Sequence, residues 1–183
     1  MKTILKCSVI ILLAALGILL FIVLTRHVDR LGHFDAVMVD NDLYLIPAED
    51  CKVGAITVFV SSATPPNSVV MWSVWGGGRS KTEQIKYGQV NGFDSEEGPQ
   101  ELQRNVKYLA IMGTSLKASL GTRGDFTIVD SNKIIMTRYF DSKRPKKHTV
   151  LVERNGEKII VPYSVSFDEN GSKVIVSGTI TGK

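Results

Sequence analysis

The chain has 183 residues and a net charge of +4, from 22 Lys and Arg against 18 Asp and Glu. That length holds one domain of ordinary size plus an appendage, and so balanced a charge excludes the dense basic surface of a nucleic-acid binder. Two cysteines and three histidines leave few ways to assemble a metal centre or a thiol active site.

The appendage comes first. Residues 4–24 read ILKCSVIILLAALGILLFIVL, interrupted only by Lys6 and Ser8, and the first acid is Asp29. The eighteen residues from Cys7 to Leu24 carry no charge, which is near the shortest run that crosses a hydrocarbon core about 30 Å thick. Lys6 lengthens it by snorkelling to the headgroups. A cleavable signal needs a small-x-small site after a shorter apolar core; Ala15-Leu16-Gly17 lies in mid-stretch instead. A lipoprotein signal needs a cysteine after the core, and Cys7 precedes it. No polar face interrupts the run, so it does not read as a helix of a soluble core.

The expectation is an uncleaved transmembrane anchor over residues 1–25, cytoplasmic tip included, with membrane lipid as its partner. Lys2 and Lys6 stand before it and Arg26 and Arg30 after it. An N-terminal anchor with bases before it leaves its tip in the cytoplasm and exports the domain behind it. The chain therefore reads as a single-pass protein of a bacterial inner membrane with its C-terminal domain in the periplasm. Residues 26–34 form a juxtamembrane connector, where Arg26 and Arg30 suit phosphate headgroups. His27 and His33 have no further ligands at metal spacing.

From residue 35 to 183 short runs of Val, Ile, Thr, Tyr and Phe alternate with Gly, Asn, Asp and Pro, the pattern of strands and turns. The runs predict strands at 36–39, 43–46, 55–60, 69–75, 83–89, 106–112, 126–129, 133–139, 149–153, 158–161 and 173–181. Asn155-Gly156 and Asn170-Gly171 mark hairpins of the type I′ geometry, whose two central residues need positive φ. The best helical candidate, 99–108, is good for a turn or two. Trp72 shares a face with Val70 and Val74, and Trp75 falls on the opposite face with Met71 and Ser73. Both tryptophans are assigned to the core, Trp75 at a rim where the chain runs into Gly76-Gly77-Gly78. Cys51 is the domain's one cysteine, so no internal disulfide forms there, and it reads as a small buried hydrophobe. The fold class is all-β, a single β-sandwich-like (or small barrel) domain after one N-terminal transmembrane helix.

Catalytic signatures are sparse. The chain has no GxSxG and no Ser-x-x-Lys. The run GGGRSKT at 76–82 lacks the Gly-Lys-Ser/Thr order of a phosphate loop. Asp40, Asp42, Glu49 and Asp50 read as polar turn residues, and His148 as a solvated loop residue. The expectation is a protein that is not an enzyme and holds no cofactor or metal; a hydrolase of envelope polymer would need a site built from distant loops.

Two charged segments stand out. Residues 93–101, FDSEEGPQE, carry Asp94, Glu96, Glu97 and Glu101 with no base. Residues 143–147, KRPKK, carry Lys143, Arg144, Lys146 and Lys147, with Pro145 stiffening the loop. As solvated loops they need no partner; as functional patches they would steer and bind a charged one.

Over about forty residues, 69–108, the chain resembles small bacterial envelope proteins of the lipoprotein type. The carriers are VVMWSVW, then IKYGQVNGF, then LQRNVKYLA, with Ile85, Tyr87, Gly88, Val90, Gly92, Phe93, Leu102 and Tyr108 on the shared pattern. Asn105 stands where that pattern has Gly, and the spacing before Gly92-Phe93 is one residue short. Some proteins of this kind are described as immunity proteins of type VI secretion. The resemblance implies a periplasmic β-sandwich that neutralises an incoming toxin, and it carries over no catalytic or binding residue. The partner is then another protein, a toxin or an envelope component. A structural accessory role in an envelope or secretion assembly is the alternative.

Overall fold

The computed structural model describes residues 34–47, 53–61, 69–76, 83–89, 92–113, 122–138 and 147–180. The anchor expected at 1–25, the connector expected at 26–34 except its last residue, Cys51, Glu49, Asp50, Lys143, Arg144 and Lys146 lie outside the described residues; Phe34, assigned to the connector, is instead a buried residue that opens the first strand. Twelve strands and no helix make up the regular structure within them: β1 (Phe34–Val39), β2 (Asp42–Pro47), β3 (Ala55–Val60), β4 (Val70–Trp75), β5 (Ile85–Lys86), β6 (Ser95–Glu97), β7 (Lys107–Gly113), β8 (Thr122–Asp130), β9 (Lys133–Arg138), β10 (Thr149–Arg154), β11 (Glu157–Phe167) and β12 (Lys173–Ser177). They form a three-stranded sheet, β1-β2-β5, and a nine-stranded sheet, β10-β11-β12-β9-β8-β7-β3-β4-β6. Neither sheet closes into a barrel.

Alternation sets which face is buried. In β7, Tyr108, Ala110 and Met112 point into the core while Leu109 and Ile111 are half-covered on the other face. They meet Ile56 and Val58 of β3 and Phe126 of β8 across antiparallel ladders. The strands β1 and β2 differ, being buried along almost their whole length. β1 lies against β8, β9 and β12, so the small sheet packs on the middle of the large one. Trp72, Tyr108 and Phe126 are the largest fully buried side chains, and Tyr108 packs on Phe126 at 5.6 Å between ring centres.

The turns show why local reading worked in one place and not another. Asn155 and Gly156 both have positive φ, 54° and 81°, and close β10 onto β11 with Arg154 opposite Glu157, as the Asn-Gly signal predicts. Asp40 and Asn41 do the same between β1 and β2, with φ 50° and 73°. The turn at Asn170-Gly171 is of another kind, since only Gly171 has positive φ. There the Asp168 carboxylate accepts from the backbone N–H groups of Asn170 and Ser172, at 2.9 and 2.7 Å, and organises a longer loop. The run 164–167 is the second half of one eleven-residue strand, β11, which pairs with β10 over its first half and with β12 over its second.

Residues 99–108 are not helical. Gln100 donates from its backbone to Met71 O at 2.8 Å and from its side chain to Val70 O at 3.0 Å, which lays this stretch along β4. The Tyr108 hydroxyl then accepts from the Gln103 N–H at 2.7 Å and holds the bend before β7. Asn105 takes φ 60°, a left-handed conformation that Asn adopts more readily than most residues with a side chain.

Candidate functional site

The outer edge of the large sheet is β6, three residues long, paired to β4 with Ser73 opposite Glu97, Val74 opposite Glu96 and Trp75 opposite Ser95. Sequence reasoning assigned no strand to this acidic run. Its strand form comes from β4: the Asp94 N–H donates to Trp75 O at 2.9 Å and starts the pairing. Asp94, Glu96, Glu97 and Glu101 are all exposed, so the structure gathers the four predicted acids along one edge and the loop beyond it. Glu96 is also tied inward, because the buried Trp72 indole N–H donates to its carboxylate at 3.0 Å.

Trp72 is in the core, as its neighbours indicate, but Trp75 is 44% exposed and not a core residue. The parity was right and the burial was not: on this face Trp75 sits at the end of β4 beside the last strand of the sheet, where among the described residues no further strand covers it. Gly76 comes next at φ 89°, and a Cβ there would fall on the Asp94 side chain. Glycine thus lets the chain bend away while Asp94 packs beneath it, and the exposed Trp75 stands opposite Ser95 of the acidic edge strand. A tryptophan next to Gly-Gly-Gly was the available signal for exposure.

Beyond the edge, Glu101 reaches an open groove of about 620 Å³ between the Asp40-Asn41 turn and residues 99–104. Tyr87 forms part of its wall, with its hydroxyl 2.8 Å from both Met71 O and Gln100 O and its ring 5.2 Å from that of Trp72. Burial pushes this phenol up to about 12. Burial, reinforced by Asp42 and then Asp40, does the same to Tyr44, also to about 12.

The carboxylates around the Asp40-Asn41 turn are partnered. Lys86 pairs with Asp42 at 2.7 Å, Arg154 with Asp40 at 3.2 Å and Arg104 with Asp130 at 3.3 Å. Arg104 also donates to the Asn41 side chain at 3.4 Å. This end of the domain is an interlocked set of hairpin turns whose charges neutralise one another. Among the described residues no group of three or more His, Cys, Asp or Glu is placed to hold a metal ion. His148 is exposed and lies over the Tyr163 ring at 5.2 Å, away from the described carboxylates of the turn and edge.

Of the basic segment, Lys147 is described; it is exposed and lies two residues before β10. β10 and β6 occupy opposite ends of the nine-stranded order, so Lys147 and the acidic edge belong to different ends of the sheet. No family model matches the chain, and no curated protein or solved structure matches it either.

Proposed function

We propose that this chain is a membrane-anchored, periplasmic protein-binding domain, with neutralisation of a secreted toxin as the most specific form of that role. The observation that carries it is the exposed Trp75 beside Asp94 and the acidic strand β6. Tryptophan is among the residues most enriched at binding hot spots, because one rigid ring contributes a large apolar area. Carboxylates along the neighbouring strand select a cationic partner, whose Arg or Lys can lie on the indole face while the acids speed encounter. A sandwich-like domain that presents such an edge needs no catalytic group to block a toxin. The apolar run at 4–24 supports the anchor and the export of the domain.

The alternative, an accessory subunit of an envelope assembly, has its own support. Leu151 and Ile160 face each other across β10 and β11 and are 42% and 67% exposed, a second contact surface remote in strand order from β6. One experiment separates the two. Residues 34–183 are immobilised and used to capture proteins from envelope extracts of the host and of competing bacteria. Capture of one cationic toxin domain, lost in Trp75→Ala and in Glu97→Lys and weakened by salt, supports immunity. Capture of resident assembly subunits that survives both substitutions and is lost in Ile160→Glu supports the accessory role. No capture by the native domain rejects both.

A further inference from the structure

The least expected chemistry lies in the interior. Asp35 in β1 is 0% exposed, Lys173 in β12 is 6% exposed, and they are in direct contact although 138 positions apart. The Tyr163 hydroxyl donates to the other carboxylate oxygen of Asp35, Oδ2, at 3.0 Å. Tyr163 is itself buried, and burial together with the Asp35 charge raises its hydroxyl above the ordinary tyrosine range, which keeps the proton on it. The surroundings are apolar: Ala36, Val37, Val161 and Ile175 neighbour the three residues along their strands and are buried.

We propose that Lys173 and Asp35 join in a covalent isopeptide bond, an amide between the lysine Nζ and the aspartate Cγ. An ion pair withdrawn from water loses hydration worth several kcal/mol per ion, a cost that the neutral amide product does not carry. The balance of the step is simple. A proton passes from the ammonium to the carboxylate, the amine nitrogen attacks Cγ, and a C–N bond forms. One C–O bond breaks, and that oxygen leaves as water with the acid's proton and one amine proton. No oxidant, reductant or activated carrier is consumed.

Two features of the site favour this step. Reactants held in contact behave as if present at about 10⁵–10⁸ M, which offsets the dehydration that bulk water opposes. The Tyr163 hydroxyl, aimed at Oδ2, stabilises the negative charge that collects on that oxygen as nitrogen attacks, in the manner of an oxyanion donor. In the product it keeps its hydrogen bond to the amide carbonyl, and two buried charges are gone. The bond would tie the first of the described strands to the last and the small sheet to the large one. With Cys51 its one cysteine, the domain has no internal disulfide to supply such a tie.

The test is the intact mass of the full chain, purified in detergent and then denatured. The expected mass is lower than that of the sequence by one water. A protease digest should yield a branched peptide joining the segment that holds Asp35 to the segment that holds Lys173. Asp35→Ala and Lys173→Met should each restore the full mass for their sequence, and Tyr163→Phe should leave a larger share of unlinked chain after the same time. A native chain of full mass overturns the proposal, as does a missing water with the two segments recovered unlinked. The native measurement requires no variant to fold.

Discussion

The chain places ionisable side chains in two settings that could hardly differ more. Asp35 and Lys173 lie buried between the two sheets, each held against the other, with Tyr163 hydrogen-bonded to the aspartate. Asp94, Glu96, Glu97 and Glu101 line the open edge of the large sheet, where solvent surrounds them and the Trp72 indole holds Glu96. Residue type does not separate the two groups; burial does. Inside, either group ionised without a partner would cost several kcal/mol, so the two must meet, as an ion pair or as the amide it leads to. Outside, water and salt screen each carboxylate, which leaves its field free for a partner.

If that contrast is sound, the largest effect comes from the interior. Asp35→Ala should destabilise the protein by about 3–5 kcal/mol, because it takes from the buried Lys173 its contact with Asp35 and with it the proposed cross-link, measured by urea unfolding. A loss as small as that of a surface acid would break the comparison.

Next comes alkaline pH. Tyr44 and Tyr87 are pushed up to about 12 by burial, against an ordinary 10.0. Between those values the unfolded chain gives up tyrosine protons that the folded chain keeps. Stability is therefore undiminished below pH 10 and falls as pH rises from 10 toward 12. Unfolding midpoints across that window should decline, and Tyr44→Phe together with Tyr87→Phe should make the decline shallower, leaving the part that comes from Tyr163.

Trp72→Phe probes the junction of the two settings, since it removes both the indole N–H bound to Glu96 and core volume. A cost of about 2 kcal/mol is expected from the charge-assisted hydrogen bond and the space left behind, and thermal or urea melts would measure it. Smallest is the exposed edge. Glu97→Gln and Asp94→Asn should change stability by no more than about 0.5 kcal/mol while slowing association with a cationic partner and reducing its salt dependence. A large stability loss there would make the acids structural.

Much of the fold was legible because the signals are local. Alternating apolar residues located β3 residue for residue, and the paired positive φ values that Asn155-Gly156 permits closed the β10–β11 hairpin as expected. The parity of β4 put the two tryptophans on opposite faces. The misses share a cause. β6 reads as a polar loop because its three residues have little strand preference of their own, and the exposed backbone of β4 supplies the pairing. Residues 99–108 suit a short helix in composition, but hydrogen bonds from Gln100 to β4 and from Gln103 to Tyr108 cost that option its backbone partners. The acids of the candidate site were identifiable as a charged run; that their strand pairs with β4 next to an exposed Trp75 was not, because exposure depends on which strand comes last in the sheet.

Composition and spacing by themselves therefore determined that this is a β-rich domain, where most of its strands fall, and which runs are charged. Those properties come from the two-residue period of a strand and from turn chemistry, both of which act over a few neighbouring positions. Only the tertiary structure decided the strand order, the place of β6 at the edge and the meeting of Asp35 with Lys173 across 138 positions. Contacts at that range depend on how the two sheets stack over a shared core, and no local pattern encodes which buried aspartate will face which buried lysine.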